Sequence, residues 1–120
     1  MAVSNIPVLT GATLQIDTSA ANAAVAVKAS SAVLYELELD NTANGAASYF
    51  KLYNLAAASV VVGTTAPDFI VMVPASVSRT LVIPSGITFG TALSYTGVTA
   101  GGTAGSTSPS SALAIKLVYV

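Results

Sequence analysis

The chain has 120 residues, four basic and five acidic side chains, a net charge of −1, and no histidine, cysteine or tryptophan. That length suits one domain with a real core and no need of metals or staples. The charged share of 8%, against about 25% in ordinary soluble domains, excludes a disordered chain, and four scattered cations, Lys28, Lys51, Arg79 and Lys116, exclude an electrostatic footprint for nucleic acid.

Residues 1–10 read as an N-terminal arm. They lack the basic and apolar regions of a signal peptide, and no stretch approaches the ~18 apolar residues of a membrane span. A short strand is predicted near 13–16. Residues 20–26 are rich in alanine, but Asn22 and Val25-Ala26-Val27 favour a loop entering a second strand at 24–28. Residues 33–40 alternate cleanly. Val33, Tyr35, Leu37 and Leu39 share one face, and Leu34, Glu36, Glu38 and Asp40 share the other. This is the pattern of a half-buried antiparallel strand. Asn44-Gly45 is a strong hairpin signal, because both residues tolerate positive φ. A hairpin of 33–40 with 48–54 is therefore expected, with Lys51 opposite Glu36 or Glu38. In 48–54, Phe50 and Leu52 face inward, and Tyr49, Lys51 and Tyr53 outward.

A loop of small residues follows at 56–63. Pro67 has no N–H for a ladder and marks a strand boundary. Residues 69–73 read as a fully buried strand, and 74–76 as a turn. A strand at 79–83 is stopped by Pro84-Ser85-Gly86. Residues 87–89 and 92–95 read as two short strands kinked at Gly90. Residues 97–111 form a long loop of Gly, Thr, Ser and Ala, and 113–120 a last strand. Eight or nine short strands with turn signals between them predict an all-β fold. The expected form is one antiparallel, jelly-roll-like β-sandwich domain over 1–120. Its expected core contains Val33, Tyr35, Leu37, Leu39, Phe50, Leu52, Ile115 and Leu117.

Chemistry is sparse. Without histidine or cysteine the chain lacks the commonest general base, the thiol nucleophile and the usual zinc ligands, and no Ser-His pair can form. Glu36, Glu38 and Asp40 are the one acidic cluster. Successive members stand ~6.5–7 Å apart along a strand, which suits a solvated face better than converging calcium ligands. Gly101-Gly102-Thr103-Ala104-Gly105 lacks the Lys-Ser/Thr of a phosphate loop and opens no helix. Tyr35, Tyr49, Tyr53, Tyr95 and Tyr119 are scattered over four strands, as sheet-packing residues are. No catalytic residue, metal site or cofactor is expected, and the chain is not expected to be an enzyme.

Five segments carry a resemblance: Leu39-Asp40-Asn41-Thr42-Ala43, Lys51-Leu52-Tyr53-Asn54, Val62-Gly63-Thr64-Thr65-Ala66-Pro67, Val73-Pro74-Ala75 and Gly86-Ile87-Thr88-Phe89. Within a span of roughly half the chain they are similar to small β-sandwich virion structural proteins of tailed bacteriophages. The resemblance implies a structural role and hands over no functional residues. It implies most specifically a capsid decoration (cement) protein, made in the host cytoplasm and placed on the capsid surface. Its partners would be the phage major capsid protein and other copies of itself in a homotrimer. A head-fibre, neck or tail component, or a carbohydrate- or receptor-binding module, are the other expectations. Near-zero charge gives copies little mutual repulsion, which fits self-association.

Overall fold

Period-two alternation and β-branched residues produce strands throughout the computed structural model, which describes residues 10–120. The expected arm at 1–10 thus lies outside the described residues, Thr10 apart. The strands are β1 (Thr13–Ala20), β2 (Val25–Lys28), β3 (Ala32–Asp40), β4 (Ser48–Tyr53), β5 (Phe69–Val73), β6 (Ser78–Phe89), β7 (Leu93–Val98) and β8 (Leu113–Tyr119), with one turn of 3-10 helix at Ala57–Ser59.

They form two four-stranded sheets, ordered β1-β8-β3-β6 and β2-β7-β4-β5. Every pairing is antiparallel. First pairs with last, second with seventh, third with sixth and fourth with fifth. That is the winding of a jelly roll, a four-strand-on-four-strand hairpin rolled into two layers. The inner faces meet in one core. Leu34, Leu37 and Leu39 of β3 with Leu113, Ile115 and Leu117 of β8 come from the first sheet, and Phe50, Leu52, Leu93 and Tyr95 from the second. Each such buried side chain contributes roughly 1.5–3 kcal/mol. The rings of Phe50 and Tyr95 lie 5.0 Å apart at a tilt of 33°.

Five expectations are corrected. The hairpin of 33–40 with 48–54 does not form: β3 and β4 lie in different sheets. Positive φ occurs at Gly11, Gly63, Ser76 and Gly86, so Asn44-Gly45 makes no hairpin turn of the expected kind. Instead the asparagine side chains build a buried corner. Asn41 Nδ2 donates to the carbonyls of Ala46, Val73 and Pro74, while its Oδ1 accepts from Asn44 and Ser48. Asn44 also donates to Ser111 O and accepts from Ser111 N. The segment therefore carries the chain from one sheet to the other.

Val33 and Tyr35 are only half-buried, and Leu34 is in the core instead. The register of β3 against both neighbours shifts between Leu34 and Glu36. This irregularity reverses the alternation, so Leu34 points inward before it and Leu37 after it. On β6 the bulge contains Gly86 at φ +73°, where a Cβ would collide with Val33 and Tyr35.

Pro84-Ser85-Gly86 does not end a strand, because β6 runs through it to Phe89. An edge strand can absorb a proline whose missing N–H faces away from the ladder. The segments 87–89 and 92–95 belong to β6 and β7, in different sheets, so Gly90 lies at a crossover and not at a kink. Finally, 69–73 is not fully buried. β5 is an edge strand on which Ile70 and Met72 remain 41% exposed.

Candidate functional site

Among the described residues, no loop covers the outer face of the first sheet along β1. Leu14 and Ile16 of β1 are 54% and 59% exposed, and Val82 of β6 is 62% exposed. The register places Leu14 beside Val118, Val118 beside Glu36, and Glu36 beside Val82. The next row runs Ile16, Lys116, Glu38, Thr80. So Lys116 stands opposite Glu38, the position expected for Lys51. Ile16, Thr18, Glu38, Asp40, Ala114 and Lys116 help line a groove of about 120 Å³. That is well short of the roughly 300–1,000 Å³ of a small-molecule site.

Glu36, Glu38 and Asp40 lie along this face as expected of an amphipathic strand. Among the described residues no three His, Cys, Asp or Glu side chains gather closely enough to hold an ion. Asp40 is occupied locally. Its carboxylate accepts from the Thr42 hydroxyl and the Thr42 N–H, which hold it below the ordinary carboxylate range.

The outer face of the second sheet is roofed over β4 and β7, while Ile70 and Met72 of the edge strand β5 stay exposed. Segments 55–65 and 99–112 fold across it. Ser94 Oγ donates to Leu55 O at 2.8 Å, and Thr99 N to Thr107 O at 3.0 Å. Gly101 lies so close to the Tyr49 ring that a Cβ there would stand 2.8 Å from it. Lys51 is 0% exposed beneath this roof. Its ammonium donates to Gly102 O at 2.6 Å and Gly105 O at 2.9 Å. Desolvation lowers its pKa. The glycines of 101–105 thus serve as acceptors for a buried cation and not as donors for a phosphate.

The tyrosines do not converge. Tyr95 is buried between the sheets, Tyr53 is buried with its hydroxyl 3.3 Å from Thr96 Oγ1, and Tyr49 lies under Gly101. Tyr95 carries a polar link missed at the sequence level. Its hydroxyl donates to Asp17 Oδ2 at 2.6 Å and lies 3.4 Å from Gln15 Nε2. Burial and the bond to Asp17 push the phenol up. Burial raises Asp17, but hydrogen bonds from Tyr95 and Ser19 outweigh it and leave the carboxyl below its ordinary value. Only the inward register of Gln15 and Asp17 on β1 could have signalled this link.

No family model, curated protein or solved structure matches this chain.

Proposed function

We propose that this chain is a structural protein of a virion, a capsid decoration protein that binds the outside of an assembled shell. The observation that carries the reading is the first sheet's outer face, where Leu14, Ile16 and Val82 stand exposed on a two-layer jelly roll. Exposed apolar surface rimmed by polar residues suits contact with another protein. Viral capsid domains, like lectins and cupins, use this architecture, and the sequence resemblance points to the same class. Binding the shell and not its free subunits stabilises the shell by mass action. In this reading the protein performs no catalysis and uses no cofactor. It folds in the host cytoplasm, where lack of cysteine is no handicap, and it acts in several copies, three in the expectation from the sequence.

Immunogold labelling of viral particles with antibody raised against the purified chain, followed by an averaged electron-microscopy map, tests the reading. The expected result is label over the whole head at regular spacing, with density for the domain outside the shell. Label confined to the neck, tail or fibre tips, or particles without the chain, overturns it.

A further inference from the structure

We infer that β1 pairs, antiparallel and about a two-fold axis, with β1 of a second copy of this chain. The inference does not rest on the shell reading, and its test uses the purified protein alone.

An edge strand presents unpaired N–H and C=O groups to any chain that can align with it, and proteins usually guard such edges with shortness, proline, bulges or cations. Among the described residues the sandwich has four edges: β1 and β6 in the first sheet, β2 and β5 in the second. Three are guarded. β2 has four residues and ends in Lys28. β5 has five residues between Pro67 and Pro74, and Arg79 donates to its Met72 carbonyl at 2.7 Å. β6 contains Pro84 and the Gly86 bulge. β1 has eight residues, TLQIDTSA, with no proline, glycine or cation; its one irregularity lies past Asp17, between Asp17 and Ala20. Its regular register with β8 runs from Thr13 to Asp17. Among the described residues, none forms a backbone hydrogen bond to the free side of this stretch.

The strand is also complementary to itself. With the axis at Gln15, Leu14 faces the partner's Ile16, Ile16 faces the partner's Leu14, and Thr13 faces the partner's Asp17. The one charge on β1 therefore never meets its like, and Asp17 is already turned toward the Tyr95 hydroxyl. The two large exposed side chains of β1 are the ones brought together, and Val118 beside Leu14 extends the apolar row. Such an isologous contact closes with two copies. A ring of three needs a different edge to receive β1, and β6, the other edge of the same sheet, is interrupted by Pro84.

Sedimentation equilibrium at micromolar concentration, in low and high salt, is the test. It compares the wild type, Ile16→Lys, Val82→Lys and a chain lacking residues 2–9, with far-UV circular dichroism confirming the β fold of each. The expected mass is twice that of each variant's own chain, 11.9 kDa for the full sequence, for the wild type, Val82→Lys and the truncated chain, and the single mass for Ile16→Lys. Ile16 and Val82 are both more than half exposed, so both lysines can remain in solvent on folded chains. Four results overturn the inference: a monomeric wild type, a trimer, a pair that survives Ile16→Lys, or a pair lost on truncation. The last would assign the edge to the N-terminal segment.

Discussion

Two outer faces of one sandwich, each made from four strands, are finished in opposite ways. On the first sheet the outward residues of β1, β8 and β3 meet solvent, and the charges there, Glu36, Glu38, Asp40 and Lys116, are none of them fully buried. On the second sheet the outward residues of β4 and β7 meet the chain's own loops, and every residue of β7 is buried. Lys51 and Lys116 thus occupy equivalent outward positions on alternating strands and live in different media. The difference teaches that a strand's polar face is defined by what is laid over it. Alternation distinguishes the two sides of a sheet; it does not say whether the outer side faces water or backbone carbonyls.

Substitutions can break this comparison. The shared core sets the upper scale. Leu37→Ala empties a fully buried position and should cost about 2–5 kcal/mol in urea melts. Val33→Ala, on the half-buried side of the bulge, should cost clearly less. Equal losses would mean that the bulge does not reverse the alternation as described.

The two lysines give the direct contrast. Lys51→Met keeps the stem but leaves the Gly102 and Gly105 carbonyls without their donor, and should cost about 1–3 kcal/mol. It should also speed amide exchange across 99–112. Lys116→Met on the bare face should stay within about 0.5 kcal/mol. Indistinguishable melts for the two variants would collapse the distinction between roofed and bare faces.

Acid titration sharpens the comparison at the rim where β1 approaches β7. Asp17 has a folded pKa below its unfolded value of 3.8. The unfolded chain therefore binds more protons there in acid, and stability falls with pH. The contribution is complete above the unfolded value and disappears as pH drops through the folded one. Tyr95→Phe removes the hydroxyl that donates to Asp17, so its carboxyl should titrate higher and the acid loss should be shallower. Urea midpoints between pH 7 and pH 2 measure both, with the Asp17 carboxyl followed by NMR. An unchanged Asp17 titration would show that Ser19 alone holds it. The smallest effect belongs to Glu38→Ala, within about 0.5 kcal/mol in the same melts.

Much of this fold was legible because period-two alternation is local. It located seven of the eight strands to within a few residues, splitting β6 in two at Pro84, and it placed Leu37, Leu39, Phe50, Leu52, Ile115 and Leu117 in the core, where the structure has them. The failures lie where a distant residue decides a local outcome. Val33 and Tyr35 left the core at an irregularity of β3 against both β6 and β8, where they pack over Gly86, far along the chain. Asn44-Gly45 carried a hairpin signal, but the Asn44 side chain is committed to Ser111. Lys51 looked solvated because nothing in 48–54 reveals the roof built from 99–112. The exposed edge was half visible. A strand near Thr13 was readable, but not its place at the end of a sheet, because β8 and not a sequence neighbour lies beside it.

That placement of β8 has a consequence for biosynthesis. β8 lies between β1 and β3 and hydrogen-bonds to both, so the first sheet cannot close until the ribosome has made Leu113–Tyr119. Until then β1 is an emerged strand with no partner in its own sheet, and β3 can pair only on its β6 side. The contacts that finish the fold join the two ends of the domain, and such long closures slow folding. At about 5–20 residues per second, the nascent chain carries these open strands for several seconds. Its sparse charge offers little to hold neighbouring nascent chains apart during that time.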